Sequence, residues 1–161
     1  MKKILKNCIY IILVFYLVFY LVPKKVPNVY LNFIDGQEFQ IKSFEGNPLL
    51  VTFWSTTCAI CLEEIPRLAK LYEELNEYGF EIIAIAVSND PPNRVVELSK
   101  NKKIPYRVAL DINADAEKAF GKIRYTPTNF LIDRNGKIIK RYVGKMEINK
   151  LRSKIKRLLN T

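Results

Sequence analysis

Apolar positions along this chain come in short runs parted by turn residues, and the period within a run changes from one to the next. Tyr30 to Ile34 and Glu38 to Ile41 flank Asp35-Gly36, which predicts a hairpin. After Gly46-Asn47-Pro48, the run Leu49-Leu50-Val51-Thr52-Phe53-Trp54 is apolar nearly throughout, as in a strand buried on both faces. From Leu62 to Tyr78 the period lengthens: Leu62, Ile65, Leu68, Ala69, Tyr72 and Leu75 recur at helical spacing. Glu63, Glu64, Lys70, Glu73, Glu74 and Glu77 then take the solvated face of that helix. Pro66 is expected to kink it and Gly79 to end it.

Further on, Phe80 to Val87 reads as a central parallel strand. Asp90-Pro91-Pro92 opens a helix through about Lys102, with Asp90 as its cap and Pro91 in its first position. Tyr106 to Leu110 predicts a short strand, and Asn113 to Gly121 a short helix with Ala116, Ala119 and Phe120 inward. Phe130 to Asp133 and Lys137 to Val143 flank Asn135-Gly136, a strong hairpin signal. Ile148, Leu151, Ile155 and Leu158/Leu159 are the inner stripe of a closing helix. Strands and helices alternate before a final hairpin and helix. That order predicts one α/β domain: a central mixed sheet flanked by helices, over residues 26–161.

Residues 1–25 follow a different pattern. Lys2, Lys3 and Lys6 precede an unbroken apolar and aromatic run from Cys8 to Val22, closed by Pro23-Lys24-Lys25. No small residues mark a cleavage site near its end, and Leu5-Lys6-Asn7 gives Cys8 no lipid-attachment context. The expectation is an uncleaved signal anchor, one transmembrane helix in contact with lipid, with the domain on the extracytoplasmic side. Cys8 within the run reads as a small hydrophobe.

Charge changes the picture less than its size suggests. The formal net charge is +10, with 26 basic and 16 acidic residues. Five basic residues belong to the anchor and its flanks, which leaves 21 against 16 for the rest. The excess gathers in Lys150, Arg152, Lys154, Lys156 and Arg157, one helix face. Nucleic-acid binding is not expected.

Chemistry enters at Cys58-Ala59-Ile60-Cys61, between the buried strand and the amphipathic helix. Unpaired N–H groups and a positive partial charge at a helix N-terminus favour a thiolate on the first sulfur. The second sulfur is close enough to attack a mixed disulfide formed by the first. Tyr125-Thr126-Pro127-Thr128 adds a second part, because an X-Pro bond costs little to hold cis. A cis Pro127 before a strand leaves the backbone of Thr126 free to pair with an extended, cysteine-bearing peptide. Tyr125 beside it, and Thr57 and Trp54 around the cysteines, are further candidate substrate contacts, although Trp54 also fits the core. Arg124 lies near the same expected groove.

Leu50 to Cys61 with Glu64-Ile65-Pro66, followed by Thr126 to Lys137, resembles the thioredoxin superfamily. The chain looks most like its membrane-anchored, extracytoplasmic TlpA/ResA-type thiol–disulfide oxidoreductases, in order over about residues 27 to 160. The resemblance implies a thioredoxin fold with an N-terminal β-hairpin and a helix–strand insertion at residues 91 to 110. It implies Cys58 as attacking thiol, Cys61 as resolving thiol and a cis Pro127, with no cofactor and no metal. It also implies electrons from a membrane thiol donor passing to protein disulfide substrates, for instance in cytochrome c maturation.

The chain departs from the pattern in three places. Thr57 replaces the tryptophan usual before the first cysteine, Thr52 stands where thioredoxin has a buried acid, and Ala59-Ile60 carries no carboxylate. The absence of histidine excludes histidine-assisted activation. Two other readings stand beside the reductase. Ser55, three residues before Cys58, is a point for a peroxiredoxin-type thiol peroxidase. Two thiolates also suit a Cu(I) carrier.

Overall fold

The computed structural model describes residues 24–160, together with Asn7, Tyr10, Leu13 and Phe15. Turn chemistry sets the first hairpin: β1 (Tyr30–Phe33) and β2 (Glu38–Gln40) pair antiparallel across the turn at Asp35-Gly36. A 3-10 turn, Ile41–Phe44, leads to β3 (Leu49–Trp54), buried along its whole length as an apolar run requires. Helix α1 (Ala59–Leu75) follows and tightens into a 3-10 turn, Asn76–Tyr78. Gly79 ends it in the left-handed region, at φ 94°. The remaining elements are β4 (Glu81–Ala86), α2 (Pro92–Asn101), β5 (Arg107–Leu110), α3 (Asp115–Ala119), β6 (Thr128–Ile132), β7 (Ile138–Val143) and α4 (Ile148–Leu159).

Seven strands form one mixed sheet in the order β2-β1-β5-β4-β3-β6-β7. β3 pairs parallel with β4, Leu49 opposite Glu81 and Trp54 opposite Ala86. It pairs antiparallel with β6, Phe53 opposite Thr128. These registers bring three connections to one end of the sheet: the loop after β3, the loop after β4 and the segment before β6. Lys24 to Val26 attach at the other end, where Ile138 donates to Lys24 O (2.8 Å) and Val26 to Gly136 O (2.7 Å).

Side-chain alternation along β3 divides the core in two. Leu50 and Trp54 face α1 and α4, packing with Ile65, Leu68, Leu151 and Ile155. Leu49, Val51 and Phe53 face the opposite layer with Val26, Val29, Phe120 and Phe130. There Phe53, Phe120 and Phe130 meet with centroids 4.8–6.1 Å apart, a geometry aromatic rings favour. The thioredoxin-like sheet and helices are as expected, with two local differences, at Ala119 and Asp90.

Ala119, expected inward, is exposed, whereas Ala116 and Phe120 are buried. Asp90 does not cap α2, whose N-cap is Pro91 without a side-chain bond. Most of the expected transmembrane segment lies outside the described residues, among which no helix is long and apolar enough to cross a membrane.

Candidate redox site

Cys58 is the N-cap of α1, with extended backbone (φ −87°, ψ 105°). Its N–H donates to Ser55 O (3.1 Å) and its carbonyl accepts from Leu62 N (3.1 Å), so the strand turns directly into the helix. Its sulfur accepts the N–H of Cys61 at 3.2 Å, the contact a capping oxygen makes elsewhere. Cys58 and Cys61 are joined by a disulfide, with Cα atoms 5.2 Å apart. The first turn of α1 carries no acidic side chain of its own to offset the positive partial charge at its N-terminus. The two sulfurs differ in access: Cys58 is half-buried and Cys61 is buried.

Cys58 opens onto a groove of about 690 Å³. Thr57, Ala59 and Ile60 from the CxxC segment, Ser88-Asn89 from the loop after β4, and Arg124, Tyr125 and Thr126 from the segment before β6 line it. Tyr125 is 71% exposed, and its carbonyl accepts from the Thr128 hydroxyl (2.7 Å). The Thr126-Pro127 bond is cis. Pro127 O accepts from Gly144 N (2.8 Å), tying this segment to the strand beyond it. The fold thus gathers Cys58, Thr57, Tyr125 and Thr126 around one groove. Ser55, which also borders it, shares its hydroxyl with Thr57 Oγ1 (3.0 Å) and Thr57 N (3.2 Å).

Trp54 and Pro127 lie on the inner side. With Cys61, Thr52 and Tyr106 they line a small buried cavity of about 10 Å³, room for about one water molecule. Trp54 is 3% exposed and belongs to the core, so it presents little surface to the groove.

Glu64 lines the same cavity, one turn of α1 after Cys61. Contrary to the solvated face expected for it, it is 2% exposed. One carboxylate oxygen accepts Met146 N at 2.6 Å; the other has no hydrogen-bond partner among the described residues. Burial pushes its carboxyl above the ordinary 4.5, against the lowering effects of the Met146 bond, Arg67 and Lys145. Burial also raises the Tyr106 hydroxyl far above its usual range, with the nearby Glu64 charge adding to it. Glu63, one residue earlier, is exposed and paired with Lys145 (2.9 Å), which holds its carboxyl below the ordinary value. A buried acid near the second cysteine therefore exists, supplied by the helix although Thr52 occupies the strand position. Helical spacing could have found it, since Cys61, Glu64, Ile65 and Leu68 lie on one stripe.

Comparisons with known proteins agree with this architecture. A family model described as Redoxin matches residues 22–159. Thiol-disulfide oxidoreductase ResA of Bacillus thuringiensis subsp. konkukian is 31% identical over 135 residues, 84% of this chain and 77% of that protein. ResA of Halalkalibacterium halodurans is 33% identical over 119 residues, 74% of this chain and 66% of that protein. Among solved structures, a thioredoxin-family thiol:disulfide interchange protein from Chlorobium tepidum TLS superposes with a TM-score of 0.77 at 28% identity. That superposition covers 85% of this chain and 97% of the other.

Proposed function

The chain belongs to the Redoxin family and to its ResA-type thiol–disulfide oxidoreductases, and on that premise we propose that it reduces protein disulfides through Cys58 and Cys61. The observation that carries this reading is the disulfide at the first turn of α1, with its outer sulfur capped by Cys61 N–H and open to the groove.

In the reduced enzyme, Cys58 thiolate attacks one sulfur of a substrate disulfide. The substrate's other sulfur leaves as a thiolate and takes up a proton. The substrate lies extended in the groove, pairing with the backbone of Thr126, while Arg124 and Tyr125 touch its flanks. Cys61 then loses its proton to Glu64 across the small cavity and attacks Cys58 Sγ. The second substrate thiol is released and the Cys58–Cys61 disulfide remains. A two-electron thiol donor restores the dithiol.

Reduction is favoured over oxidation because Ala59-Ile60 adds neither positive charge nor histidine to over-stabilise the thiolate. The working context we propose is a membrane tether at residues 1–25, with the domain outside the cytoplasm and electrons from a membrane thiol donor. Cytochrome c maturation fits that context. In support, Lys24 to Val26, which follow the expected tether in sequence, attach at the end of the sheet opposite Cys58.

A Cys61→Ser variant tests the exchange step. It is expected to accumulate mixed disulfides through Cys58 with protein substrates, reversible by dithiothreitol. Absence of any such adduct, with Cys58 still alkylatable, would sink the proposal.

A further inference from the structure

Asp90 stands in the loop after β4, next in sequence to Ser88 and Asn89, which line the groove. It is 5% exposed, and both its oxygens are committed to one residue of the loop that presents Cys58. Oδ2 accepts the Thr56 N–H (2.5 Å) and Oδ1 accepts the Thr56 hydroxyl (2.6 Å). Backbone and side chain of Thr56, two residues before Cys58, are thereby fixed together. The loop after β4, which carries Asp90, is itself held by α3, where Ser88 N donates to a Glu117 carboxylate oxygen (2.6 Å). Helix α3, which carries Glu117, is itself capped by Asp111, which accepts from Ala116 N (3.0 Å) and Glu117 N (2.7 Å). Asp90 thus links the loop after β4 to the CxxC loop, and Glu117 braces the loop after β4 from α3.

We propose that Asp90 is a positioning residue for Cys58, fixing Thr56 and setting a buried carboxylate against the loop that presents the sulfur, which keeps the cysteine pair reducing. This rests on Cys58 being the exchanging thiol. The reasoning is electrostatic. A carboxylate removed from water is poorly screened and raises the free energy of a nearby thiolate. The helix N-terminus lowers the same energy. A less stable thiolate means a less stable dithiol at neutral pH, and so a pair that gives up its electrons more readily. The two donors from Thr56 temper the charge without removing it.

The test equilibrates the full-length chain with glutathione. Protein disulfide plus two glutathione thiols gives protein dithiol plus one glutathione disulfide, with two electrons transferred. The apparent pKa of the Cys58 thiol is followed in parallel by alkylation rate. Asp90→Asn removes the charge and keeps an acceptor; it is expected to move the equilibrium about tenfold toward the dithiol and to lower the thiol pKa.

Thr56→Val removes one donor and leaves the charge less tempered, so it is expected to move both readouts the opposite way. A merely structural brace would shift both variants in the same direction, or neither, and that result overturns the proposal. Should Asp90→Asn fail to fold, Thr56→Val decides alone: a raised thiol pKa supports the proposal, and an unchanged or lowered one overturns it. If the unaltered chain forms no internal disulfide in these buffers, the exchange function itself fails, whatever Asp90 does.

Discussion

The two faces of the Cys58–Cys61 disulfide are built from opposite materials. Outside lies an open groove bordered by Thr57, Arg124 and Tyr125, where a polypeptide has room to lie. Inside lies a cavity for about one water, lined by Thr52, Trp54, Glu64 and Pro127. A single turn of α1 separates them. On the proposed mechanism this difference divides the chemistry: the half-exposed outer sulfur meets what arrives, and the buried inner one shares a cavity with Glu64. In that mechanism, shielding protects the resolving thiol from side reactions, while the acid gives its proton somewhere to go.

The sharpest way to break this contrast is to swap the sulfurs' fates. Cys58→Ser is expected to abolish disulfide reduction, measured as turnover of a protein disulfide. Cys61→Ser is expected to stop after one attack, leaving a trapped adduct. Equal trapping by both variants would erase the distinction between inside and outside.

Next in size is Glu64→Gln, which keeps an acceptor for Met146 N but cannot take a proton. Loss of acid–base help is expected to slow turnover by about a hundredfold. Because Glu64 must be ionised to accept the proton, activity of the unaltered chain rises with pH through its elevated pKa, and the variant flattens that rise. Stability moves the other way. The folded chain binds this proton more tightly than the unfolded one, so Glu64 favours folding below about 4.5, and this contribution is lost as pH rises through the folded value. Glu64→Gln is therefore expected to melt higher than the parent at neutral pH while working more slowly. A lower melting temperature at pH 7 would count against a buried, costly acid.

On the outer face the effects are smaller. Arg124→Ala with Tyr125→Ala is expected to raise KM for a protein disulfide about fivefold, with small disulfides reduced as before. Equal losses for both substrates would place these residues in the chemistry and not in the groove. The smallest effect belongs to Glu63→Ala. Its ion pair with Lys145 is exposed, so neither turnover nor melting temperature is expected to move measurably. Neighbouring glutamates on one helix would thus differ by their facing alone.

Much of the fold was legible because its signals are periodic. Leu49 to Trp54 could be read as a buried strand, the stripe from Ile65 to Leu75 as a helix face, and Asp35-Gly36 and Asn135-Gly136 as hairpin turns. The cysteine pair and Thr126-Pro127 were legible as one site once the strands around them were placed. What escaped was carried by acids judged on type. Glu64 has the look of its exposed acidic neighbours, although its spacing from Cys61 puts it on the inner stripe. Asp90, next to Pro91, has the look of a helix cap, but its oxygens find Thr56, 34 residues earlier in the chain. That pairing depends on the register of β3 against β4, which no local pattern encodes.

The central claim is that Cys58 and Cys61 form a dithiol poised to reduce, and the reduction potential of that pair in the full-length chain tests it most directly. Equilibration with glutathione or dithiothreitol buffers is expected to give a value near or below about −230 mV, on the thioredoxin side of the range. A value near about −120 mV would mark a disulfide-forming oxidant and contradict the assigned direction. Failure to form any internal disulfide would contradict the exchange mechanism itself.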